Sequence, residues 1–544
     1  MKIKMPYFKD VISKAGLPNA EDYFAALQAV FDTVKEAAKK ETYAVDTNEL
    51  ERNFKRYLED KNWSELVAFF TPYAKQFLQK FKELKETFGD GKLIKSLEDI
   101  MLAAILKNYV QYDFVVGNPP YVNIRKIAKG QKEHYGEIYA TAKGSYDLYC
   151  LFIEKSLKTL LSGGKIGFIC SNQFLLTDYG GYLRAVLVSY NIDQILDFRD
   201  SGVFLAVVNY PCIIITTKKE NLRELPSNKI KCVRVTEPKK ELLKDIKQHL
   251  ADVDYFEKSY AVFDFPQGEL NDGLWTLMPE AERVIFSRIV KIADSKFAEM
   301  TEDIFVGTQT SKDDIYLVFV MQDLGEDLVR IKPQRGDEEF IIEKKILKPL
   351  LKGKDITKWS LNWSGHYLIF PYKDEDKTIL MDEDELKRDY PHTWGYLLHN
   401  KIALESRENG KMKERSDWYG YIYPKNHEKF EQTKMMTQLL STKNRFSFDK
   451  EGIYYFIAVG GDCITLGDTY KDEYLYFLGL LNSSVLEFYL KHISPVHEGG
   501  FYLYIKQYLE ALPIRYPLDK ESEKIKDRII EDVKIVIEKL KFEQ

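Results

Sequence analysis

The stretch Asp113-Phe-Val-Val-Gly-Asn-Pro-Pro-Tyr-Val122 governs the reading of this chain. Asp113 to Val116 is a short apolar run of strand type, and Pro119 and Pro120 stop it, because two successive prolines cannot continue a ladder. An amine on a nucleobase is a poor nucleophile, since its lone pair is delocalised into the ring. Two rigid acceptors at the amine hydrogens would localise that pair and aim it. The Asn118 side-chain oxygen and the Pro119 carbonyl can be those acceptors, with proline fixing the backbone. Tyr121 then offers an aromatic face to a base turned out of a duplex. Taken alone, the tetrapeptide reads equally well as a turn after a strand.

Downstream, Tyr146 to Leu161 has helical periodicity through Leu148, Phe152, Ile153, Leu157 and Leu160, with Ser145 as cap and Gly163-Gly164 as terminator. Lys165–Ser171 reads as a strand, Gly181–Ser189 as a helix, and Gln194–Phe198 and Val207–Thr217 as strands. This alternation predicts a doubly wound α/β sheet whose chemistry sits at the strand C-termini. Upstream, Asn19 to Lys107 is helical in pattern, with Phe24, Leu27, Val30, Phe31 and Val34 on one stripe. Beyond Gln267, short mixed segments predict an α+β domain, and Asp519 to Leu540 a charged amphipathic helix.

The motif and its sequel resemble the adenine-N6 DNA methyltransferases of restriction-modification systems, the gamma-ordered group of TaqI-like and type IIG enzymes. Four further stretches follow in that family's order: Gly144-Ser-Tyr-Asp-Leu-Tyr-Cys-Leu-Phe152, Leu161-Ser-Gly-Gly-Lys-Ile-Gly-Phe-Ile169, Gly181-Tyr-Leu-Arg184 and Asp200-Ser-Gly-Val-Phe204. The resemblance implies that Asn118, Pro119, Pro120 and Tyr121 form the catalytic loop, that Phe204 is a second aromatic against the flipped adenine, and that S-adenosylmethionine is the donor. Phe204 also reads as ordinary packing. No metal is implied.

The family's donor-binding segments precede its catalytic loop: a glycine-rich turn after a strand, then two acidic positions. Here Phe88-Gly89-Asp90-Gly91 follows a helical run and reads as a helix end. The expectation is therefore a partial Rossmann-like methyltransferase sheet whose donor site is completed by a partner polypeptide or a missing N-terminal half. Its open edge should expose apolar surface. The expected divisions are a helical segment at 1–111, the catalytic half at 112–266, a TaqI-like target-recognition domain at 267–518 and a terminal helix at 519–544.

Within 544 residues, 45% are hydrophobic and 30% charged, with 36 Tyr and 32 Phe, which describes a globular chain able to bury several cores. A net charge of −5 excludes a protein that coats nucleic acid by overall positive charge, so basic character must be local. It is: Lys344–Lys358 holds six lysines against one aspartate, and Lys401–Lys450 holds 11 Lys or Arg against seven Asp or Glu. Trp418, Tyr419, Tyr421 and Tyr423 interleave with the second run, a mixture that suits phosphate contact with base stacking; Asn409, Lys411, Lys413 and Arg415 are the candidate contacts to double-stranded DNA. Loose resemblance to the TaqI-like recognition domain rests on Asp303-Ile-Phe-Val-Gly-Thr-Gln-Thr310, Leu350-Leu-Lys-Gly-Lys-Asp355, Tyr367-Leu-Ile-Phe-Pro-Tyr372 and Leu480-Leu-Asn-Ser-Ser484. The five cysteines read as reduced core residues, the histidines lack ligand spacing, and no apolar run reaches bilayer length, so a cytoplasmic protein is expected. A carboxylate nuclease site of Pro-Asp and Asp/Glu-x-Lys type is not evident. The alternative function is a DNA-binding specificity subunit without catalysis.

Overall fold

In a computed structural model of the chain, residues 16–17, 20–59, 61–88, 111–199, 210–219, 221–237, 241–497 and 499–542 are described. Helices α1 (Ala20–Lys39), α2 (Thr47–Tyr57) and α3 (Trp63–Phe88) pack on one another. Asp46 caps α2 by accepting from Asn48 N (2.9 Å) and Glu49 N (3.2 Å). Edge-to-face rings such as Phe31 on Phe77 fill the centre. Every buried member of this core lies between Leu17 and Phe81, so the three helices bury their apolar stripes against each other. Residues 89–91, read as a turn, lie outside the described residues.

The sheet begins with β1 (Tyr112–Gly117). After α4 (Lys129–Ile138) and α5 (Leu148–Thr159) come β2 (Leu160–Ser171), α6 (Gly181–Leu187), β3 (Asn191–Asp197), β4 (Pro211–Thr217) and β5 (Lys229–Val235). Then α7 (Leu242–His249), β6 (Tyr255–Phe256) and β7 (Tyr260–Pro266) complete a seven-stranded sheet in the order β1-β2-β4-β3-β5-β7-β6. The β1–β2 and β3–β5 pairs are parallel, while β4 runs antiparallel to both β2 and β3. This is an α/β sheet of the expected kind, with a crossover helix, α5, carrying the chain from β1 to parallel β2.

Two local expectations are corrected. Ser145 does not cap α5: its N-cap is Asp147, whose carboxylate instead takes bonds from Asn123 and Tyr179. Gly163-Gly164 is not a helix terminator, because α5 ends at Thr159 and the glycines lie inside β2. Gly163 has φ +79°, and a Cβ on Gly164 would lie 2.8 Å from the Tyr112 carbonyl, so the pair lets β2 bulge against the start of β1.

Helix α8 (Glu280–Ile292) leads from the sheet into the C-terminal part. That part contains a six-stranded and a four-stranded sheet, linked by helices that include α9 (Ser484–Ile493), and the chain closes with α10 (Lys520–Phe542). Gly479 lets α10 come close, since a Cβ there would meet Ile529 Cγ2 at 2.6 Å. Arg234 on β5 and His492 on α9 both bond Glu282 on α8, at 2.9 Å each, and the Phe286 ring stacks on Tyr489 at 4.5 Å. Burial raises the Glu282 carboxyl, but bonds from His492 and Arg234 outweigh it and bring the group down to about 2. A carboxyl depressed on folding stabilises above its unfolded value and loses that contribution as pH falls through the folded one. The hold of the two parts on each other is therefore expected to be complete at neutral pH and to weaken between about 4.5 and 2. Glu282→Ala should cost about 1–3 kcal/mol at neutral pH, because Arg234 loses its anion in a half-dry site, and should flatten that acid transition in thermal melts.

Candidate catalytic corner and DNA-reading surface

Asn118 follows the C-terminal end of β1, where parallel strands present their loops. Gly117 is paired with Phe168 on β2, and a Cβ at Gly117 would sit 3.2 Å from that ring, so glycine seats the end of β1 on its neighbour. Asn118 and Pro120 are exposed, Pro119 is buried and Tyr121 is half-buried. Among the described residues the Asn118 amide forms no hydrogen bond, which leaves its oxygen and the adjacent Pro119 carbonyl available to an incoming amine.

The chain beyond the corner is clamped. Ile124 N donates to Tyr146 O and Leu148 N to Val122 O, both at 2.9 Å. Asn123 Nδ2 donates to Asp147 (3.0 Å), Tyr179 donates to the other Asp147 oxygen (3.3 Å), and Tyr179 meets Tyr149 hydroxyl to hydroxyl (3.1 Å). Buried Glu154 on α5 accepts from Thr141 N and Oγ1 at 2.8 Å, fixing the approach to this clamp. The corner is thus a short rigid loop held at both ends, which suits positioning chemistry.

The Tyr121 ring stands edge-on to Tyr149 at 6.3 Å. Its hydroxyl points into the core without a partner among the described residues, and burial pushes the phenol up to about 12. A base can therefore use only the neutral ring. Tyr121→Phe removes an unsatisfied buried hydroxyl and is expected to leave or slightly raise thermal stability, with turnover within a few-fold of the parent. Tyr121→Ala should depress turnover by at least an order of magnitude, at about 1–3 kcal/mol per lost base–ring contact; steady-state rates of the two variants check this. Phe204 lies outside the described residues.

Arg125 and Lys126, one turn past the corner, are exposed and form no ion pair among the described residues. Sequence reading passed over them because two cations among polar residues resemble any solvated turn. They add two unpaired positive charges next to the Asn-Pro-Pro-Tyr corner.

On its outer side β1 is the last strand of the sheet. Phe114 is 69% exposed and Val116 82%. They border a groove of about 770 Å³ whose other wall is Ile138 on α4 and Leu148, Leu151 and Phe152 on α5. Among the described residues no acidic side chain lines this groove.

In the C-terminal part, the basic run at 401–450 divides into surface and core. Lys411 lies over the Tyr423 ring at 4.6 Å and 3.6 Å from Glu408, Lys413 is exposed, and Arg415 is held by both oxygens of Asp417 at 2.7 and 2.6 Å. Trp418, Tyr419 and Tyr421, expected to serve base stacking, are instead buried in the domain core. Arg407 is also buried and donates to the carbonyls of Leu404, Thr310, Trp418 and Gly420. It is a structural hub. Composition could not separate these roles, because a tyrosine facing solvent and one facing a core look identical in a charge count.

All five cysteines are buried thiols; Cys170 and Cys212 face each other across β2 and β4 with sulfurs 3.6 Å apart. Among the described residues no cluster of His, Cys, Asp and Glu could hold a metal, and no helix is long and apolar enough to cross a membrane.

A seven-stranded α/β sheet that carries the Asn-Pro-Pro-Tyr corner, with Asn118 exposed and Pro119 buried, is thus joined to a second, mixed domain. Residues 19–204 match the family described as Eco57I restriction-modification methylase, and residues 348–514 match the TaqI-like C-terminal specificity domain. Relatives are Type II methyltransferases. M.BstVI of Geobacillus stearothermophilus is 26% identical over 442 residues, covering 78% of this chain and 70% of its own length. The Type II restriction enzyme and methyltransferase RM.Eco57I of Escherichia coli is 24% identical over 419 residues, 73% of this chain but 39% of its own length. Among solved structures, the Type IIL restriction-modification enzyme MmeI in complex with DNA aligns over 88% of this chain and 61% of that one, at 12% identity and a TM-score of 0.47.

Proposed function

We propose that this chain is the catalytic and DNA-reading portion of a site-specific DNA methyltransferase acting on the N6 amine of adenine. The observation that carries this reading is the uncommitted Asn118 amide beside the Pro119 carbonyl, exposed at the C-terminal end of an edge strand. The target adenine is turned out of the duplex, and its amine donates one hydrogen to Asn118 Oδ1 and the other to Pro119 O. Both acceptors draw the nitrogen lone pair out of conjugation and fix its direction. Tyr121, joined by Phe204, covers the ring. S-adenosylmethionine supplies the methyl group. It is held by a partner polypeptide, or by the N-terminal half of a longer chain, that adds its strands to the outer side of β1. The exposed Phe114 and Val116 support that docking, since an apolar edge left in water is a template for another strand.

The double-stranded DNA lies across the corner and the C-terminal domain, with Lys411, Lys413 and Arg415 as backbone contacts. The groove beside β1, which has no acidic side chain among the described residues, favours a second reading, a DNA-binding subunit that does not methylate. The two are separated by incubating duplex DNA and labelled S-adenosylmethionine with the chain, with a donor-binding half, and with both. Label on DNA only in the mixture supports methylation. A mixture that retains DNA yet transfers no label supports the second reading.

A further inference from the structure

A polar groove of about 650 Å³ opens in the C-terminal domain where segments distant in sequence meet: 308–314, 334–335 and 457–459. Their backbones pack too closely for side chains at several points. A Cβ on Gly307 would meet Phe456 O at 2.4 Å, one on Gly353 would meet Gly460 O at 2.9 Å, and one on Gly461 would meet Thr437 O at 1.9 Å. The groove is therefore built on a fixed frame.

On that frame stands Gln309. Its neighbours Thr308 and Thr310 are fully buried, with Thr308 bonded to His427 at 2.8 Å and the Thr310 carbonyl taken by Arg407 at 2.8 Å. Gln309 exchanges both backbone bonds with Tyr423, at 3.2 and 3.3 Å, and only its amide reaches into solvent. Two residues on, Ser311 adopts φ +56° and leaves a buried hydroxyl without a partner among the described residues. Non-glycine strain recurs nearby at Glu408 (φ 48°), Asn409 (φ 63°) and Glu414 (φ 61°), and Glu408 accepts from the Tyr423 hydroxyl at 2.8 Å. Such backbone conformations persist only where the surrounding structure holds them.

Along one border lie Arg335, Lys352 and Lys354. None forms an ion pair among the described residues; the Lys352 ammonium donates to Gln334 at 2.7 Å and its backbone N–H to Asp355 at 2.9 Å, and burial, with Lys354 and Arg335, lowers its proton affinity against the opposing pull of Asp313 and Asp355. Asp313 and Asp314 share the groove wall and Asp355 stands beside Lys352, so the rim is mixed in sign, and it is Arg335 and Lys354, which form no ion pair among the described residues, that suit a phosphate. Tyr423 carries Lys411 on its ring, which ties the opposite side to the strained loop. Leu439 ends the groove next to the strands at 440–441, 501–503 and 496–497, and His497 there reaches Tyr210 at 3.3 Å, so the groove leads towards the methylase sheet.

We propose that this groove reads the DNA sequence, with Gln309 contacting a base edge through both ends of its amide and Arg335 and Lys354 gripping the phosphates alongside. A glutamine amide matches the adjacent donor and acceptor that adenine presents in the major groove. The assignment rests on the DNA-methylating reading above but concerns recognition alone.

The test is selection of bound duplexes from a pool randomised over a central window, followed by sequencing. The parent chain should enrich one short motif. Gln309→Ala should enrich the same motif with a single position relaxed by roughly 10- to 100-fold, and Gln309→Glu should turn that position towards cytosine. Arg335→Ala should weaken all duplexes alike and lower the slope of log affinity against log salt by about 1. An unchanged motif in both Gln309 variants, an unchanged salt slope in Arg335→Ala, or no motif from the parent overturns the proposal. If the parent chain enriches its motif while the parent chain joined by a donor-binding half transfers no methyl group, the methylation reading fails and the groove stands.

Discussion

An Asn118→Ala variant of the complete enzyme is expected to lose methyl transfer by roughly 10²- to 10³-fold or more, with duplex affinity unchanged within about twofold. The side chain is exposed and bonded to nothing among the described residues, so its removal costs the fold little. What disappears is one of two acceptors that make an aromatic amine nucleophilic. Pro119 still takes one hydrogen, but the lone pair is free to delocalise into the ring π system. Steady-state turnover and anisotropy titration on the same preparation separate the two effects. Parental turnover would remove Asn118 from the chemistry.

Exposed lysines on the edge strand are expected to have a comparable effect by another route. Phe114→Lys with Val116→Lys places two charges on the side of β1 where the donor half would add its strand, a device that proteins use to keep sheet edges from pairing. Both residues are already mostly in water, so the isolated chain should fold and become more soluble. The complete enzyme should show no measurable methylation, because the charges would be desolvated on docking. Soluble yield, light scattering and methylation check this together. Full methylation by the double variant would mean that the donor site is not built on this edge.

The parts of this molecule legible in sequence are those that local rules dictate. A strand stopped by two prolines, a helix of proper periodicity after it and a second apolar strand all appear where Asp113–Ser171 places them. Errors arose where a local signal had two physical meanings. Gly163-Gly164 permits a bulge as readily as it ends a helix, and Asp147 rather than Ser145 begins α5 because its neighbours Asn123 and Tyr179 bind it. The groove proposed to read DNA was least legible. Gln309, Arg335, Lys352 and Lys354 are brought near one another only by sheets that no periodicity announces. Trp418, Tyr419 and Tyr421 drew attention as aromatics among cations, yet they form the core that holds Arg407 in place.

The most direct measurement is the identity of the methylated nucleoside. Duplex DNA treated with the complete enzyme and labelled S-adenosylmethionine, then digested to nucleosides and separated, should carry all its label in N6-methyldeoxyadenosine. Label in a methylated deoxycytidine, or none with a complete and DNA-bound enzyme, would contradict the account.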